Sequence, residues 1–161
     1  MKLQTYENVE VWKSGNKLKL DKIVDKIYAH DFDLLHLSSH LLIIDSQGMI
    51  CCRKRPANDF RYAGLWTTTI GTHVPLKQDH RQTLAPLLPI KMETKWVGEF
   101  KVHDRWENEI YGLYTAFINR QGLPDEFMRD RTFLSSEKLK ELISRHKTTP
   151  HLAEAYKLLV K

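Results

Sequence analysis

The chain has 161 residues, of which 42% are hydrophobic and 28% charged, which excludes a disordered or fibrous chain and predicts one globular domain over residues 1–161. A formal net charge of +5 suits an anionic partner, and a diphosphate meets that condition as well as nucleic acid does. Adjacent cysteines rarely bond each other, and Cys51 and Cys52 are the only two; no apolar run is of membrane length and residues 1–5 lack a signal-peptide core, so a cytoplasmic protein with reduced thiols is expected.

Residues 7–13 read as a short strand ending at the turn Ser14-Gly15-Asn16. Leu20, Ile23, Val24, Ile27 and Tyr28 follow at i, i+3, i+4, i+7 and i+8, which predicts a helix face. Residues 37–45 and 49–55 are two strands of a hairpin around Ser46-Gln47-Gly48. Residues 56–64 form a polar loop and residues 65–70 a third strand. Residues 79–88 hold a short helix that Pro86 and Pro89 interrupt. Two further strands, 93–102 and 107–119, are joined by a charged turn, and Gln121-Gly122-Leu123-Pro124 ends the second. Residues 130–134 form a last strand. Ser135 or Ser136 caps a helix to about His146, and Thr149-Pro150 starts a final helix with proline at its first position. Strands with a few helices and no repeat or linker predict a single α+β domain.

Glu107 and Glu109 stand at i, i+2 in a segment rich in β-branched and aromatic residues. In a strand that spacing points both carboxylates to one face, where they repel unless a cation or a shared proton holds them. His30, His36 and His73 could complete a site with them. Imidazole plus carboxylate suits zinc, manganese or iron better than calcium. Any one of these histidines is ordinary as a structural residue; they gain weight only together. Arg53-Lys54-Arg55 closes an apolar strand, and such charges either are solvated or bind phosphate aimed at them. Trp66 follows Gly64 at a strand start, where an aromatic is most often core. His40, His80, His103, His146 and His151 show no partner pattern and read as surface or core.

Taken in order, Tyr28-Ala29-His30, Leu35-His36-Leu37, Arg53-Lys54-Arg55, the stretch from Gly64-Leu65-Trp66 to Gly71-Thr72-His73, Glu107-Asn108-Glu109 and Thr149-Pro150-His151 resemble type I isopentenyl diphosphate isomerase of the Nudix superfamily. The resemblance runs from about His30 to Tyr156. It implies a Nudix-like fold, a mixed sheet sandwiched between helices. It implies a metal site of His30, His36, His73, Glu107 and Glu109, with Glu109 also the acid of the reaction. The metal implied is manganese, zinc or magnesium. Lys54 and Arg55 would meet the substrate diphosphate, Trp66 would line the substrate site, and Tyr156 would cover a prenyl carbocation with its π face.

The departures shape the expected function. The position of the family's catalytic cysteine, two residues before the metal-binding His73, is Gly71. Val102 stands where a tyrosine would assist the glutamate. No acidic residue lies between Arg81 and Met92, where the Nudix helix would supply carboxylates for magnesium. The expectation is a metal-dependent enzyme acting on a prenyl or other small diphosphate by proton transfer or carbocation chemistry, without the standard isomerisation. Two alternatives are a non-catalytic Nudix-like domain that binds a diphosphate, a nucleotide or a protein partner, and a residual diphosphate hydrolase. The partner expected is a small-molecule diphosphate, not a membrane or nucleic acid.

Overall fold

The computed structural model describes residues 8–13 and 19–161. β1 (Asn8–Lys13) and β2 (Lys19–Asp25) pair antiparallel, from Asn8 opposite Asp25 to Lys13 opposite Lys19. The predicted helix face is therefore divided. Leu20, Ile23 and Val24 lie in β2, and only Ile27 and Tyr28 enter the short α1 (Lys26–Asp31), capped by the Asp25 carboxylate. Leu20, Ile23, Ile27 and Tyr28 all stay about half exposed, so the apolar stripe finds no core to cover; pairing with β1 decides the backbone instead. Glu7 and the expected Ser14-Gly15-Asn16 turn lie outside the described residues.

β3 (His36–Asp45) and β4 (Ile50–Lys54) form the expected hairpin. Asp45 organises its turn by accepting from the amides of Gln47 and Met49, and Gly48 takes the positive φ of 76° that the turn requires. The single strand expected over 65–70 is two strands. β5 (Trp66–Thr67) extends along β4, and β6 (Ile70–His73) crosses to β3. Thr69 marks the switch: its hydroxyl accepts from the amide of Ile43, at 2.9 Å, and donates to the carbonyl of Cys51. β4 and β3 thus part after two register pairs, and a wedge opens between them.

α2 (His80–Leu84) starts in a reciprocal cap between Asp79 and Gln82 and passes into a 3-10 turn at Ala85–Leu87, before Pro89. β7 (Lys95–His103) and β8 (Asn108–Ile118) pair antiparallel. β8 also lies parallel to β3 over its full length, from His36 beside Glu109 to Asp45 beside Ile118. α3 (Asp125–Met128) leads into β9 (Arg131–Leu134) on the far edge of β4. α4 (Ser136–Ser144) is capped by Ser135 and α5 (Pro150–Leu159) by Thr149, as the sequence indicates.

Helices cover both faces of the nine-stranded mixed sheet. Leu41, Ile43, Cys51, Ile70 and Ala116 pack under α2 and α3, with Leu84 at the centre. On the other face Leu42, Ile44, Cys52 and Leu113 pack under α4 and α5, against Leu139, Leu152 and Tyr156. This second face changes character along the strands. β3 presents His36, Ser38 and His40 before Leu42 and Ile44; β8 presents Glu109 and Tyr111 before Leu113. The apolar half is core and the polar half is the candidate site. Among the described residues, no helix is long and apolar enough to cross a membrane.

Candidate metal centre and cavity

Four of the five expected ligands converge. The Nε2 atoms of His30, His36 and His73 and Oε1 of Glu109 all lie within 4.8 Å of one another. His30 and His73 are 2.8 Å apart, and Glu109 Oε1 stands 3.4, 3.6 and 3.7 Å from His36, His73 and His30. Each position has a structural cause. The parallel β3–β8 register sets His36 beside Glu109, and the antiparallel β3–β6 register sets His73 opposite Ser38. His30 ends α1, where the chain turns through Asp33 at a positive φ of 51°.

The tautomers suit a cation. Nδ1–H of His36 donates to the carbonyl of Leu34 at 2.8 Å, and Nδ1–H of His30 to that of Trp106 at 3.2 Å, so each Nε2 faces inward, where the Glu109 carboxylate raises the His36 pKa. His36 Nε2 is buried with no hydrogen-bond partner among the described residues. An orphaned buried nitrogen facing a carboxylate is what a ligand to a missing cation looks like. A tetrahedral zinc with bonds of about 2.0–2.1 Å would need ligand atoms roughly 3.4 Å apart, close to the three distances to Glu109.

The charge state agrees. Burial works against the Glu109 charge, but the His36 and His73 imidazoles outweigh it and hold the carboxyl well below the usual range. Ser38 Oγ donates to its other oxygen. Burial lowers His30 to about 4, which keeps it neutral and able to ligate. Glu109 is thus held ionised, with both oxygens engaged.

Glu107 is not in this cluster. It precedes β8, and Tyr111 and His151 draw its carboxylate deeper: the Tyr111 hydroxyl donates to Oε2, and His151 Nδ1 lies 3.1 Å from it. His151 Nε2 is 2.7 Å from Thr67 Oγ1. The i, i+2 spacing does bring both glutamates to one cavity, but only Glu109 faces the imidazoles.

That cavity, of about 480 Å³, occupies the wedge between β3 and β4. Its floor carries His40, Thr67, Thr68, Glu107, Tyr111 and His151, and Lys26, Arg53, Arg55 and Arg61 supply cations to its wall. Arg53 pairs with Asp130 at 2.6 Å and Arg55 with Asp59 at 2.9 Å, whereas Arg61 has no ion pair among the described residues. Lys54 does not line the cavity. Arg53 and Arg55 line it, and the Lys54 Nζ lies 4.9 Å from the Trp66 ring centre.

Trp66 also lies outside the lining. It pairs with Lys54, packs on the core, and its carbonyl accepts from the amide of Thr149, anchoring the start of α5. Tyr156 is 4% exposed in the core, with its hydroxyl on Ser136. The first turn of α5 reaches the cavity through His151 instead. Cys51 and Cys52 are free and buried on opposite faces of β4, and burial lifts Cys51 to about 12. Val102 pairs with Glu109 across β7 and β8 and offers it no hydroxyl.

Sequence reasoning missed His40, Arg61, Tyr111 and His151. Tyr111 continues the 107, 109 alternation and was open to detection; Arg61 lies in a loop whose path no local pattern sets. The His40 ring fills the space into which a side chain at Gly71 would project.

Neither a family model nor a curated protein matches the sequence. Solved structures match the fold. A Deinococcus radiodurans protein aligns with a TM-score of 0.75 at 11% identity, over 94% of this chain and 98% of its own. A MutT protein from Methanosarcina mazei gives 0.59 at 15% identity, over 76% of this chain and 91% of its own. A mutT/nudix family protein from Listeria innocua gives 0.56 at 15%, over 77% and 90%. The chain has a Nudix-like fold: a mixed sheet with helices on both faces.

Proposed function

We propose that this chain is a metal-dependent enzyme acting on a small diphosphate by proton transfer. The observation that carries this reading is the inward-facing, orphaned Nε2 of buried His36, set among His30, His73 and ionised Glu109 at the edge of a cavity walled by arginines. A binding domain has no need of four converging ligand groups. Those four would hold the metal, zinc or manganese by their chemistry. Bound there, a divalent ion supplies Lewis acidity and positive charge beside the cavity. Arg61, with Arg53 and Arg55, binds the diphosphate and orients the rest of the substrate toward the floor. Ordinary diphosphate hydrolysis through the Nudix helix has less support, since α2 spans only His80–Leu84 and bears no carboxylate.

The prenyl chemistry implied by the resemblance is one form of this reaction. A second form, with a hydrogen-bonding group at the reacting end, is favoured by the floor itself. His40, Thr67, Thr68, Glu107, Tyr111 and His151 all carry polar groups, which a hydrogen-bonding substrate can use and a hydrocarbon cannot. The test is elemental analysis of the purified protein, with turnover on a panel of prenyl and nucleoside diphosphates. Bound zinc or manganese is expected, lost in Glu109→Gln and kept in Glu107→Gln. Metal-free protein that stays metal-free after incubation with either ion would refute the reading.

A further inference from the structure

Gly71 in β6 sits directly across from His40 in β3. A Cβ on Gly71 would fall 2.6 Å from His40 Cε1 and 2.9 Å from Nε2, a separation that side chains do not tolerate. Both residues line the cavity. The imidazole therefore occupies the volume into which residue 71 would project a side chain, two positions before the ligand His73. Glycine is required here for space.

The hydrogen bonds define which nitrogen works. Thr68 Oγ1 donates to the carbonyl of Ile70 at 3.3 Å, so it accepts from Nδ1–H of His40, at 2.7 Å. The lone pair is left on Nε2, which has no hydrogen-bond partner among the described residues. The rings of Tyr111 and His151 lie at 4.8 and 4.9 Å from the imidazole, centroid to centroid, and fix its plane. The residue is 6% exposed, and burial drives its pKa well below the usual histidine value, so the lone pair stays available.

We propose that His40 is the general base of this site, with Nε2 taking the proton from the reacting C–H or O–H of the substrate, in a seat that Gly71 provides. The inference rests on the metal-dependent diphosphate reading above. As the N–H bond forms, the substrate bond breaks and its electron pair stays on the substrate. The imidazolium then returns the proton to product or to water, and nothing is oxidised or reduced.

The test uses the full chain loaded with zinc. Nitrogen NMR of the unaltered protein should show His40 neutral with its proton on Nδ1; a proton on Nε2 overturns the proposal whatever the variants do. His40→Gln should keep zinc content and inorganic pyrophosphate affinity within about twofold. Its turnover should fall by about 10²–10⁴-fold, read as uptake of carbon-bound deuterium from D₂O into isopentenyl diphosphate and into a nucleoside diphosphate. Gly71→Ala, which drives a Cβ into the ring, should lower turnover in the same direction with zinc retained. Turnover that survives His40→Gln overturns the base alone. No turnover by the unaltered protein on either probe overturns the enzyme reading and the base with it.

Discussion

Replacing His36 with leucine separates the metal from the fold. In the metal-free protein the His36 Nε2 is buried and unpartnered, a state that costs about 1–3 kcal/mol. Leucine removes that cost. It also removes the 2.8 Å bond from Nδ1–H to the Leu34 carbonyl, worth about 0.5–1.5 kcal/mol, and one of the two imidazoles that hold Glu109 ionised, leaving that carboxyl with Ser38, His30 and His73. These terms offset, so metal-free stability should stay within about 2 kcal/mol of the unaltered protein. Zinc should separate the two. A ligand at a hundred times its Kd stabilises by about 2.7 kcal/mol, which in a chain of this size moves Tm by roughly 5–11 °C. The unaltered protein should show that rise after zinc is added to chelator-treated material, and His36→Leu should show none. Thermal unfolding followed by circular dichroism, with and without zinc, reads both. A full zinc shift retained in His36→Leu would refute the assignment of that nitrogen as a ligand. So would a His36→Leu protein many degrees less stable than the original without metal.

Two further outcomes follow from the same geometry. Arg61→Ala and Arg55→Ala should each weaken inorganic pyrophosphate binding by about 1.5–3 kcal/mol in calorimetry, while Lys54→Ala, whose ammonium lies over Trp66 outside the cavity, should change it little. Metal-free stability should fall as pH drops from about 6.5 toward about 4. His30 is lowered to about 4 and His40 lies lower still, so below the unfolded value of 6.5 the unfolded chain takes up protons that the folded one refuses. His80 is lowered as well, and His36, raised, opposes them as one group against three. Denaturant midpoints that stay flat across that window would contradict the burial of these rings.

The sequence by itself carried what depends on local periodicity and local capping. The hairpin around Gly48, the caps at Ser135 and Thr149 and the strands that became β3, β4, β7, β8 and β9 were legible because side chain, turn and backbone preference there act within a few residues. His30, His36, His73 and Glu109 were legible as candidates, since their residue types state the chemistry. The same reasoning failed at residues 20–28, where helical spacing was real but no apolar surface lay behind it. Lys54, which the resemblance implies for the diphosphate, lies outside the cavity that Arg53 and Arg55 line.

What only the tertiary structure decided were the long-range pairings. The parallel alignment of β3 with β8 sets His36 beside Glu109 across 73 positions of chain. The crossing of β6 onto β3 brings Gly71 against His40, and the start of α5 delivers His151, not Tyr156, to the floor. A register shift of one residue would turn each of these side chains to the opposite face, and no local preference records that choice. The ligand types are a property of the sequence, whereas their convergence, and the seat that a glycine opens for an imidazole, are properties of the sheet.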